Sequence, residues 1–173
     1  MTSGPTPSTT THLRPLQMLT GIIFGGSVMI CAARVVIDAS APMPSWWAVG
    51  LVVVALFGAA YAINVAGYSV PALPHGLPRE NAEGTALRLF SQTTVLRATL
   101  AEVPVVVAFF SSFAFSPHSW LTIAVALPGS AALFALHAWP SLRTAERVQE
   151  GLEADGARSH LTEALGIGRR LSR

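Results

Sequence analysis

Four apolar blocks, at residues 16–37, 46–68, 95–115 and 120–139, constrain this chain more than anything else in it. Each is close to the ~20 residues that a helix needs to cross a hydrocarbon core about 30 Å thick. Lipid offers no partner to a free backbone N–H or C=O, so such a segment crosses either as a helix or within a closed β-barrel. The alternating polarity of a barrel strand is missing from all four blocks. The expected fold is therefore all-α: a polytopic four-transmembrane-helix bundle with a short amphipathic cytoplasmic C-terminal helix. Composition points the same way, since 51% hydrophobic residues, 12% charged residues and a mean hydropathy of +0.52 are wrong for a soluble domain of 173 residues.

Three regions follow. Residues 1–15 form a small, polar, proline-broken tail that is expected to be disordered. Residues 16–140 form the membrane domain, and residues 141–173 a cytoplasmic tail that is partly helical. The first block is too long for the apolar core of a signal peptide and lacks a small-x-small cleavage site, so it is expected to stay as an anchor. Cys31 is the single cysteine, which rules out an internal disulfide and suits a small packing residue.

Charge supplies an orientation. All eleven basic residues are arginine, which together with abundant Ala, Gly and Val suggests a bacterial source. Arg14 precedes the first block, Arg79 and Arg88 lie between the second and third, and six more arginines follow the fourth. The other two connections, around Asp38 to Ser45 and Ser116 to Ser119, carry none. Short cytoplasmic loops hold the excess of Lys and Arg, so both termini are expected in the cytoplasm of a multi-pass protein of the bacterial cell (inner) membrane. Trp46, Trp47 and Trp120 then mark the outer interface and Trp139 the inner one. Basic residues used in this way meet anionic lipid, and nothing in their pattern suggests nucleic acid.

In the tail, Leu142, Ala145, Val148 and Leu152 recur at helical spacing behind Ser141, a suitable N-cap. The segment from Trp139 to Gly151 is expected to continue the fourth helix, to be interrupted near Asp155-Gly156, and to be dispensable for folding of the membrane part.

Polar residues inside the blocks are the candidate site. A rise of 1.5 Å per residue puts Glu102 ~7 Å deeper than Arg97. Arg97 reads as an interfacial anchor whose guanidinium reaches the headgroups, as do Arg34 and Asp38, an i,i+4 pair at the other end of the first helix. Glu102 cannot reach out, and an unpaired carboxylate at that depth is disfavoured by a few kcal/mol, so it is expected as a neutral acid. Tyr61, Asn64, Thr20 and His137 come to similar depth on the other helices and make the expected buried polar cluster around it. Pro104 frees the Leu100 carbonyl nearby and favours a kink. Gly21-x-x-x-Gly25 with Gly26 is the expected helix-packing face of the first helix, and Ala55 with Ala59 that of the second.

The run from Thr93 to Glu102, an Arg97-x-x-Leu100-x-Glu102 pattern, together with the exit Trp139-Pro140, resembles a widespread group of uncharacterised bacterial four-helix integral membrane proteins. That resemblance implies a fold and no activity. The same helix is distantly similar to the carboxylate helix of rotary ATP synthase ring proteolipids, which would make Glu102 a proton carrier. This chain differs from them in having four spans instead of two and no repeated G-x-G-x-G helix. The leading expectation is a non-enzymatic accessory or assembly subunit of a membrane complex, partnered by lipid and by a second copy or another membrane protein. The alternative is a proton-coupled carrier or channel component using Glu102. The histidines show no shared metal spacing, and G-x-S-x-G and H-E-x-x-H are absent, so no catalytic residue, metal or cofactor is expected.

Overall fold

In the computed structural model, residues 13–37, 39 and 42–166 are described. Asp38, the arginines from Arg169 onward and the tail before Leu13 lie outside them. The described residues are all-α: α1 Leu13–Ile37, α2 Trp46–Val65, α3 Arg79–Ala114, α4 Leu121–Leu133 running into a π-helical turn Phe134–Ala138, α5 Leu142–Leu152 and α6 Leu161–Ala164. Four segments are long and apolar enough to cross a membrane: α1, α2, α3, and α4 with its π turn.

Two span boundaries differ from expectation, the start of the first and the end of the second. Leu13, Arg14 and Pro15 belong to α1 and not to the tail, and a proline is tolerated there because first-turn N–H groups have no intrahelical acceptor. The α2 helix stops at Val65, short of Tyr68, and Gly67 N–H closes its last turn onto the Ile63 carbonyl (2.9 Å).

The centre of the fold is α3, which touches every other helix. At 1.5 Å per residue its 36 residues extend ~54 Å, well beyond one hydrocarbon core. Its buried face repeats at helical spacing and is built mostly of small residues, Ala82, Ala86, Ala98, Ala101, Ala108, Ser111 and Ser112 among them. Small side chains let backbones approach closely where lipid gives helices no hydrophobic reason to associate. By contrast α1 is peripheral: 17% of its apolar window is buried against 44% for α3. It meets the protein through Thr20, Phe24, Cys31 and Arg34, which follow one another at three- to seven-residue steps on one face.

This overturns the expected packing role of Gly21, Gly25 and Gly26. All three are exposed, and a Cβ built on any of them would meet nothing within 4 Å. They lie off the Thr20–Phe24–Cys31 stripe and so point outward. Ala59 of α2 is buried as expected.

The tail also differs. Trp139 is extended (φ −65°, ψ 123°) and ends the fourth span, because the ring of Pro140 disfavours helical backbone in the residue before it. A new helix then starts at Ser141 as expected. The Ser141 hydroxyl accepts from Thr144 N–H (3.4 Å) and Thr144 Oγ1 accepts from Ser141 N–H (3.0 Å), a capping box with Thr in the reciprocal position. Ala145, Val148 and Leu152 of α5 pack with Leu161 and Leu165 onto Leu73, Ala82, Ala86 and Phe90. Leu73 N–H donates to the Leu152 carbonyl (2.9 Å), and Glu153 Oε1 accepts from Ser159 N–H and Oγ (2.8 Å each). The tail is thus docked on the start of α3 through its own apolar core.

Candidate functional site

Phe90, Thr94 and Arg97 fall on one face of α3 at steps of four and three residues. All three are buried, Arg97 completely (0% exposed). Its Nη1 donates to the Gly67 carbonyl (3.0 Å) and its Nη2 to Thr94 Oγ1 (3.0 Å), while Nε is buried without a partner. The guanidinium carbon lies 4.6 Å from the centre of the Tyr68 ring and 5.9 Å from that of Phe90, within reach of the ring quadrupole. Gly67 is required for this approach, since a Cβ there would come within 2.5 Å of the Ile63 carbonyl and 2.7 Å of Arg97 Cγ. Arg97 is therefore not the snorkelling anchor expected of it. It turns inward because the end of α2 presents a carbonyl and an aromatic ring at its level.

A second arginine meets the same ring. Arg147 of α5 lies 4.4 Å from the Tyr68 centroid, and its Nη2 donates to Asn64 Oδ1 (3.5 Å). The Tyr68 hydroxyl hydrogen-bonds to His137 Nδ1 (3.1 Å), which belongs to the π turn. Such turns are rare and are frequent at functional sites. Arg97, Arg143 and Arg147 all bear electrostatically on His137. None of these three arginines has a carboxylate within ion-pair distance among the described residues.

The cluster expected around Glu102 is not assembled. Glu102 is half-buried with Oε1 enclosed and unpartnered, and the polar side chain that bears on it is Ser27 of α1. Tyr61 is 73% exposed. Asn64 is exposed and donates back to the Ala60 carbonyl (2.8 Å). Thr20 is buried but donates to the Leu16 carbonyl of its own helix (2.8 Å), and His137 belongs with Tyr68. Matching depth was a correct reason to expect polar groups at one level and an insufficient one to expect contact, because each residue's direction around its helix decides that.

Arg34 likewise turns inward, with 2% of its surface exposed. Its Nε donates to Ser112 Oγ (3.2 Å) and its guanidinium lies 4.5 Å from the Phe113 ring centre, so it ties α1 to the far end of α3. Trp46 and Trp47 are exposed and stacked on one another, and Trp139 is exposed. Trp120 is half-buried with Nε1 unpartnered.

A surface cavity of about 140 Å³ lies between the 73–77 loop, the start of α3 and residues 157–160. Arg79, on its wall, is already paired with Glu83 (2.6 Å) and Glu163 (3.0 Å). Among the described residues no three of His, Cys, Asp and Glu gather closely enough to hold a metal ion.

The residues that sequence reasoning missed are Gly67, Tyr68, Arg143 and Arg147 as a group with Arg97. Their signal was present: an aromatic residue at the very end of the second block, a Phe90–Thr94–Arg97 stripe, and an i,i+4 arginine pair beyond Trp139. No family model, no curated protein and no solved structure matches this chain.

Proposed function

We propose that this chain is a non-enzymatic accessory or assembly subunit of a bacterial cell-membrane complex, a four-helix bundle with both termini in the cytoplasm and α5 as an amphipathic cytoplasmic helix. The observation that carries the reading is the outward position of Gly21, Gly25 and Gly26, which leaves bare backbone on the outer side of the most peripheral helix. A small-x-x-x-small face unused within the chain suits close contact with a transmembrane helix of another subunit or of a second copy. The test is clean because Gly25 is exposed and a Cβ there meets nothing within 4 Å. Gly25→Leu is expected to leave the melting temperature unchanged and to abolish co-purification of the partner in mild detergent, whereas Gly58→Leu on α2, also in open space, retains it. A wild-type chain that runs as a lone monomer in both detergent and lipid nanodiscs would refute the reading.

A second reading, a proton-coupled carrier or channel component using Glu102, draws its support from the enclosed and unpartnered Oε1. An intramembrane carboxyl group with one oxygen unpartnered has room to exchange a proton.

A further inference from the structure

The fully buried Arg97 poses a problem that its two hydrogen bonds do not solve. A buried charge is costly unless it is paired, yet another cation, Arg147, lies over the same tyrosine ring. Arg143 adds to the same positive field, which His137 also feels. Arg79, by contrast, holds two glutamates.

Depth says what kind of counter-charge is at hand. From Arg97 to the end of α3 at Ala114 is ~26 Å by the rise per residue, close to one hydrocarbon thickness. The opposite part of α3, from Arg97 back to Arg79, carries the docked tail. α2 ends at Val65 and the π turn at Ala138, on the same side as the cluster. Arg97 therefore stands at the boundary between acyl chains and headgroups. The rim above it is exposed at Asn64, Arg143 and Arg147, and it continues into the exposed apolar surface of Val65 and Leu136, the sort of surface that acyl chains cover.

We propose that Arg143 and Arg147, over the buried Arg97, form a site for the phosphate of an anionic phospholipid, with the His137–Tyr68 pair fixing the ring that both Arg97 and Arg147 face. A guanidinium fork matches phosphate oxygens in pairs, and basic pockets between membrane helices at this level take up anionic headgroups. The site supplies the missing negative charge to a helix junction that the chain alone leaves positive. It rests on the chain spanning a membrane and not on the subunit reading above.

Native mass spectrometry of the full chain tests it, using protein equilibrated in mixed micelles with equal phosphatidylglycerol and phosphatidylcholine. Wild-type protein is expected to retain phosphatidylglycerol roughly tenfold over phosphatidylcholine. The R143Q/R147Q variant, altered only at exposed positions, is expected to lose that preference and keep its lipid-free melting temperature. R88Q/R158Q removes the same net charge elsewhere and is expected to behave as wild type. Equal phosphatidylglycerol retention by wild type and R143Q/R147Q overturns the proposal, as does loss of preference in R88Q/R158Q to the same degree. A melting-temperature rise of wild type with millimolar inorganic phosphate equal to that with phosphatidylglycerol overturns the lipid assignment in favour of free phosphate.

Discussion

Gly67 and Arg97 fit each other as a pair, and each has a distinct expected effect when changed. Gly67→Ala places a methyl group against backbone as well as against the arginine stem, so neither neighbour can yield fully. It is expected to lower stability by ~1–3 kcal/mol, read as thermal denaturation in detergent. Arg97→Lys keeps the charge but cannot reach both the Gly67 carbonyl and Thr94 Oγ1 while lying over Tyr68. A loss of similar size is expected, and an unchanged melting temperature would show that the bonding pattern of Arg97 contributes nothing. Glu102 behaves differently, because its Oε1 has no partner to lose. Glu102→Gln is expected to stay within ~0.5 kcal/mol of wild type. If it also keeps the assembly but abolishes a proton-dependent activity, the carrier reading gains over the subunit reading, since an amide does not titrate.

The elements show where sequence was a sufficient guide and where it was not. Four spans and a Ser141-capped tail helix were legible because length, hydropathy and capping are properties of a segment by itself. The junction at Trp139 was legible too, given the proline that follows, yet apolar spacing on either side argued for continuity and the pre-proline restriction prevailed. Packing faces were not legible. A G-x-x-x-G pattern says that a helix can approach another closely, not that it does so within its own chain, and here the alanines of α3 take that part. The polar cluster failed for a related reason: depth follows from residue number alone, whereas azimuth depends on how each helix is rotated against its neighbours. The docked tail yields a prediction at this scale. Val148 is fully buried between α5 and the start of α3, and an aspartate there would be an unpaired buried charge. Val148→Asp is expected to free residues 142–165 for limited proteolysis while the spans stay protected. Protection equal to wild type would contradict the packing.

For the whole molecule, an even number of candidate spans fits a chain that ends on the side where it began. Reporter fusions at Arg173, at Met43 and at His118 are expected to place the first in the cytoplasm and the other two outside, and an external C-terminus would reverse the topology. The long α3 links the two halves of the molecule, one end lodged among the spans and the other clothed by the tail. That clothing arrives late. While a ribosome is still making the fourth span, the Ala82–Phe90 face lacks the cover that α5 and Leu161 and Leu165 supply, because those residues have not been translated. A nascent chain interrupted before α5 leaves that apolar stripe without the tail's cover. Bare stripes of this kind are what chaperones and proteases recognise.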